Sequence, residues 1–510
     1  MTDRGTDRRP GVARTWFDVG LILVISLLAE IAHFSWRDGR SVLNGDSIQY
    51  VDAGEALLSP DKGPDFAVRK PGYPFILAGI ALLVGNMSWA AVAANHLFQG
   101  LLPLAAYGLG RNLRSRFVGW VAALLTVAYL QTHVQGDRIM SEAAYMLLLT
   151  VGAVALAAGL KGACSLRLMA SAGLLLALAW SVRSVAVAVI IAGLACTVWV
   201  LRGRPGRAAI ACLCLTLPLA AAVLFECSLN LRFSGQFRPS TGSLGLMLMM
   251  RTRHLQGLPM PDSEIGRYSL ALLPDRDPPD AYRASEVDTW VARYRAVHDH
   301  GLDDWEVDSL MKRGAFEIVR AHPVEFFRCS FDLFVRHLLR QREIPSHARM
   351  SHGQQRPFVM HPAAADDPDF QEHWYAFWGL PNRTLEESLD LAARMKTAAG
   401  KRAPFARTEP LPTLRYVSML PPVADVLGVL RGVARLWPGF ALILCGILGL
   451  NRRTCAFLAA AYVLEAILIS ICCPSESAAI RYQCVWLATD ITLAAAFVSV
   501  PLQLVWSRLE

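Results

Sequence analysis

Apolar runs close to the roughly twenty residues that cross a bilayer alternate with short polar breaks over the first half of the chain and again near its end. They fall at 16–35, 88–109, 117–134, 142–160, 166–182, 184–201, 208–226, 437–451, 455–472 and 484–506, which predicts about ten spans. The run from Pro71 to Gly85 is shorter and opens with Pro-Gly-Tyr-Pro, so it reads as a juxtamembrane or half-inserted helix. From 228 to 436 the pattern turns polar over a length sufficient for a separate domain. Inside it Val307, Leu310, Met311, Ala315, Ile318 and Val319 recur at helical spacing until His322-Pro323, where proline predicts a break. Phe326, Phe327, Phe331 and Phe334, interleaved with Arg328 and Arg336, then predict an amphipathic helix suited to a bilayer surface.

The pattern implies an all-α polytopic membrane protein with juxtamembrane helices and an α-rich outer domain. Its modules are 1–227, a transmembrane module carrying the first outer loop and juxtamembrane helices at 44–86; 228–436, the outer domain; and 437–510, the last transmembrane helices. With 54% hydrophobic and 18% charged residues, the chain is excluded from the ordinary soluble class. A net charge of +8 would suit nucleic acid, but the arginines sit in short clusters between apolar runs and in the polar segment, as topology signals and anionic-lipid contacts do. With the N-terminus inside, the cytoplasmic loops hold Arg111, Arg114 and Arg116, then Lys161 and Arg167, then Arg202, Arg204 and Arg207, then Arg452 and Arg453. The first run follows Arg8, Arg9 and Arg14, is too long for a signal-peptide core, lacks a small-residue cleavage site, and is expected to stay as an anchor.

That alternation sends Asp46, Lys70, Asp137, Glu142 and Arg481 to the opposite, outer boundary, where charge near lipid usually has a task. Asp46, with Ser47 and Tyr50 close by, offers a general base; it also suits a helix cap. Arg69 and Lys70, ahead of the rigid Pro-Gly-Tyr-Pro, offer a fork donor and a point charge for a phosphate, or else snorkel at the interface. Glu142, beside Ser141, can position an acceptor or a catalytic loop, or simply favour the start of a helix; Asp137 is a weaker candidate of the same kind. Arg481-Tyr482 supplies a further fork donor and a hydroxyl, and Tyr50, Tyr73, Asp137 and Tyr482 are the candidate substrate contacts. Arg183 reads as an interfacial anchor.

The histidines of the outer domain include only one near pair, His298 and His300, and the eleven cysteines lack metal-ligand spacing, so no metal site is expected. Cys472, Cys473 and Cys484 flank one outer loop and are the candidates for a bridge. Trp374, Tyr375, Phe377 and Trp378 suit a domain core better than a sugar platform.

The order of GDSIQYVDAGEALL, RKPGYPFILA, a span ending in GRNLRSR, a span led by MSEAAYMLLL and a late IRYQCVW resembles the polytopic glycosyltransferases of superfamily C (GT-C), especially protein O-mannosyltransferases and the lipid A aminoarabinose transferase. The resemblance covers about the first 240 residues, and the last 75 more loosely. It implies an inverting hexosyl or pentosyl transfer from a polyprenyl-phosphate sugar at the outer face of the cytoplasmic (inner) membrane. The acceptor would be a cell-envelope glycan, glycolipid or protein, and membrane lipids, not nucleic acid, would be the other partners. It implies Asp46 as base, Lys70 with Arg69 and Arg481 on the donor phosphate, and a role for Glu142. The family often pairs two acids in its first loop, where this chain has Asp46-Ser47; no cofactor is expected and a divalent metal is not favoured. A flippase for lipid-linked sugars, or an O-antigen-type polymerase or ligase with a diphosphate donor, are the alternatives; the chain's asymmetry counts against a transporter built of related halves.

Overall fold

The computed structural model describes residues 9–36, 45–59, 63–64, 66, 69–128, 139–161, 164–240, 244–252, 255, 292–293, 296–297, 300–339, 451–472, 489, 491–492 and 495–496. Among them regular structure is helical throughout, with no strand. The elements are α1 (Arg9–Trp36), α2 (Gly45–Leu58), α3 (Gly72–Val84), α4 (Met87–Leu113), α5 (Arg116–Ala128), α6 (Glu142–Gly159), α7 (Leu166–Val182), a 3-10 turn (Ser184–Ala186), α8 (Val187–Val200), α9 (Pro205–Ser234), α10 (Leu244–Thr252), α11 (Asp304–Ala321), α12 (Pro323–Leu339) and α13 (Arg452–Cys472).

Among the described residues four stretches, Arg14–Phe34, Glu142–Gly159, Pro205–Ser234 and Arg452–Cys472, are long and apolar enough to cross a membrane. α3 and α4 pass that test together but are bent by 109°. α5, α7 and the Ser184–Val200 pair are apolar and shorter. The expected spans at 437–451 and 484–506 lie almost wholly outside the described residues. The bend that keeps α3 apart from α4 is local: Gly85 ends α3 with φ 74°, a left-handed turn glycine adopts without strain, and Asn86 then caps α4 by accepting the Trp89 N–H at 3.0 Å.

α4 is the hub, packing against α1, α3, α5 and α6, while α7 joins α6 to α9 and α13 lies on α8. Where α4 meets α5 the backbones touch: a Cβ on Gly110 would stand 2.9 Å from Gly119 Cα, and one on Gly119 2.7 Å from the Tyr107 carbonyl. Small residues at such crossings let helices close where no hydrophobic drive separates lipid from protein. One buried cluster runs through α3 to α9 and α13, while Leu82 and Leu83 of α3 stay exposed, as a lipid-facing surface would.

A second cluster joins α10, α11 and α12, with Ile471 of α13 packed on it. As the sequence predicts, the chain breaks at His322-Pro323 between α11 and α12. Asp303 opens α11 with a reciprocal capping box to Glu306. The boundary expected at 227/228 falls inside α9, which runs on through Asn230 and Arg232 to a left-handed Gly235. Of the cysteines expected to bridge, Cys472 ends α13, and Cys473 and Cys484 lie outside the described residues.

Candidate functional site

Two sets of charged residues mark opposite ends of the bundle. At one, the Asn451 N–H donates to Leu113 O at 2.9 Å, Arg453 Nη1 to Leu160 O at 3.0 Å and Arg207 Nη2 to Cys164 O at 2.8 Å, gathering the loops expected on the cytoplasmic side. The other end, where α6 begins and α7 stops, holds the candidate site.

Four separated stretches meet there. Asp46 lies in the first turn of α2, one turn before Tyr50. The Tyr50 hydroxyl is 3.0 Å from Ser141 Oγ, the residue before α6, and Arg183 Nε donates to the same oxygen at 3.1 Å. Arg183 Nη2 also pairs with Glu142 Oε1 at 2.7 Å, so one guanidinium ties the end of α7 to the start of α6. Arg183, expected as an interfacial anchor, is instead largely buried and ion-paired, because the carboxylate of Glu142 at the start of α6 meets its guanidinium.

Arg69, half-buried, donates through Nε to Gln49 Oε1 and lies 5.6 Å from the centre of the Tyr50 ring. Lys70 is deeper, 5% exposed, and its ammonium donates to both oxygens of Glu226, at 2.9 and 3.0 Å, while standing 3.6 Å from the Trp180 ring centre. Burial pushes the Lys70 ammonium below the usual lysine range, and the Glu226 carboxylate opposes that shift. Glu226 is 1% exposed and accepts the Ser240 N–H at 2.7 Å through the Oε1 that also meets Lys70. Gly72 permits this approach: a Cβ there would stand 2.4 Å from Ser181 Oγ and 2.6 Å from its carbonyl carbon.

Tyr73, a candidate substrate contact, is fully buried. Its hydroxyl donates to Asn95 Oδ1 at 2.9 Å and its ring meets Tyr50 edge-on at 5.0 Å, so it supports Tyr50 and is not open to substrate. Asp137, Arg481 and Tyr482 lie outside the described residues. Among the described residues, no group of three His, Cys, Asp or Glu side chains is placed to hold a metal. Sequence reasoning missed Glu226. Its signal was a lone carboxylate in an apolar helix, where an ionisable group calls for a partner.

No family model matches the sequence, and no curated protein matches it. Among solved structures, the chain is similar to ArnT from Cupriavidus metallidurans bound to undecaprenyl phosphate, at 12% identity and a TM-score of 0.35 over 88% of this chain and 77% of that one. It is also similar to the oligosaccharyltransferase AglB from Archaeoglobus fulgidus, in complex with an inhibitory peptide and a dolichol-phosphate, at 11% identity and a TM-score of 0.34 over 95% of this chain and 56% of that one. Likeness at this level fixes neither family nor activity.

Proposed function

We propose that the protein is an integral membrane glycosyltransferase of the GT-C type, moving a sugar from a polyprenyl-phosphate donor to an acceptor hydroxyl at the outer face of the cytoplasmic membrane. The observation that carries this reading is the meeting, at one end of an apolar bundle, of Tyr50, Arg69, Lys70, Glu142 and Arg183 with the turn of α2 that bears Asp46. The motif order resembling GT-C enzymes supports it, and nothing in the proposal requires a metal.

In the proposed reaction Asp46 takes the acceptor hydroxyl proton and the acceptor oxygen attacks the anomeric carbon. The bond from that carbon to the phosphate oxygen breaks on the opposite face, its electron pair leaves with the polyprenyl phosphate, and the configuration inverts. Arg69, the more accessible cation, meets the donor phosphate first; Arg481 is assigned to the same phosphate from sequence alone. Lys70 follows by exchanging one anion for another, since the Glu226 carboxylate already occupies the place a phosphate would take. Glu142 is assigned a positioning role: through Arg183 and Ser141 it holds Tyr50, and with it α2.

The test uses purified protein in vesicles, labelled polyprenyl-monophosphate sugar and envelope extract as acceptor. Wild type forms labelled product, and Asp46→Asn binds donor normally while transfer falls about 10²–10⁴-fold, the range for losing a general base. Full activity of Asp46→Asn removes the base assignment. Movement of labelled lipid across the vesicle with no covalent product would make the protein a carrier, and activity only with a diphosphate-linked donor would make it a polymerase or ligase.

A further inference from the structure

Cations also gather at the opposite end of the bundle, about 27 Å away along the eighteen residues of α6. An open recess of about 480 Å³ lies there, and the described residues that line it are Lys161, Asn451, Arg452 and Arg453, with no carboxylate among them. Its walls are held in place by backbone contacts. Asn451 donates its N–H to the end of α4 and caps α13 by accepting the Thr454 N–H at 3.1 Å, while Arg453 is held by the carbonyl ending α6. Arg111, in the last turn of α4, adds its field: burial, and after it the Arg111 charge, hold the Lys161 ammonium below the ordinary lysine range. Asp18, a carboxylate on α1 at this end, is taken up by Arg116 and Tyr107.

We propose that this recess binds a phosphate-bearing anion, the headgroup of an anionic phospholipid in the leaflet opposite the candidate active site. A phosphate in the space that Lys161, Arg452 and Arg453 border accepts charge-assisted hydrogen bonds from them. The first turn of α13 contains no acid, so the positive end of its dipole adds to the field there. Basic pockets between spanning helices at this boundary are where such headgroups are recognised. The site is independent of the proposed transfer reaction.

Native mass spectrometry of the full-length protein, loaded with phosphatidylglycerol or phosphatidylcholine, tests it. Wild type is expected to retain phosphatidylglycerol preferentially. The K161Q/R452Q variant binds it about thirtyfold more weakly, the effect of removing two basic residues near an anionic surface, and K161R/R452K stays near wild type. Displacement of the lipid by inorganic phosphate supports the site with the bare phosphate as its recognised group, and failure of phosphate to compete assigns it to the membrane-borne headgroup. Equal retention by wild type and K161Q/R452Q, or no preference between the two lipids, overturns the proposal. Should K161Q/R452Q not fold, Arg452→Gln alone, a change at an exposed first helical residue, must still reduce the rise in thermal midpoint that phosphatidylglycerol gives wild type; an undiminished rise is the refuting result.

Discussion

At the Lys70 end of the bundle Lys70 and Arg183 are matched by buried carboxylates, Glu226 and Glu142, whereas at the Lys161 end Arg116 meets Asp18 while Arg453 and Arg207 donate to helix-end carbonyls. Carbonyl dipoles steady a guanidinium without cancelling its charge, so a side chain held only that way keeps a standing positive field. A buried carboxylate cancels the charge and can be replaced by another anion, which makes the positive character of the first end conditional on what occupies it. A substrate site benefits from the conditional arrangement; a permanent lipid contact benefits from the standing one.

The sharpest way to break this comparison is to remove one member of the buried pair. Lys70→Ala or Glu226→Ala leaves an uncompensated charge and is expected to cost about 3–5 kcal/mol, read from unfolding in detergent. The double variant Lys70→Met/Glu226→Leu should recover most of that stability and none of the transfer; if transfer returned with stability, the pair would be structural alone. Next comes Arg183→Gln, which strands Glu142 and loosens Ser141: about 2–3 kcal/mol of stability, with kcat falling more than donor KM rises. A rise in KM alone would point to direct donor contact instead. Gly72→Ala pushes the chain off Ser181 and should cost about 1–3 kcal/mol while weakening donor affinity, since Arg69 and Lys70 move with it.

The smallest effect is on pH. Because burial lowers the Lys70 pKa, its ammonium loses its proton at lower pH than an exposed lysine, and transfer should decline on the alkaline side below the ordinary lysine value of 10.5. Glu226→Gln removes the group that favours the charged form, so its alkaline limb should lie lower still; a limb that does not move, or moves up, would detach Lys70 from the reaction. The same depressed pKa means that the unfolded chain holds more protons than the folded one between the two values, so in that window stability rises with pH even as activity falls.

Much of the frame was legible because it rests on local pattern. Apolar length located α1, α4, α6, α9 and α13, proline located the α11–α12 break, and the basic loops do collect at one end. The site was legible only by halves. Tyr50, Arg69, Lys70 and Glu142 announced themselves as polar groups at span ends, but the partner of Lys70 is 156 residues away, and no periodicity links the two. Arg183 was misjudged because an arginine ending a span looks the same in sequence whether it faces headgroups or a carboxylate. Polarity and helix end also differ after the seventh apolar run: polar residues begin at Ser228, whereas the helix itself runs on until Gly235 ends it.

A single oxygen, Glu226 Oε1, receives both the Lys70 ammonium and the N–H of Ser240, in the segment that follows α9. The counter-charge of the lysine and the fastening of the chain after α9 are therefore one group, so removing Glu226 loosens both at once.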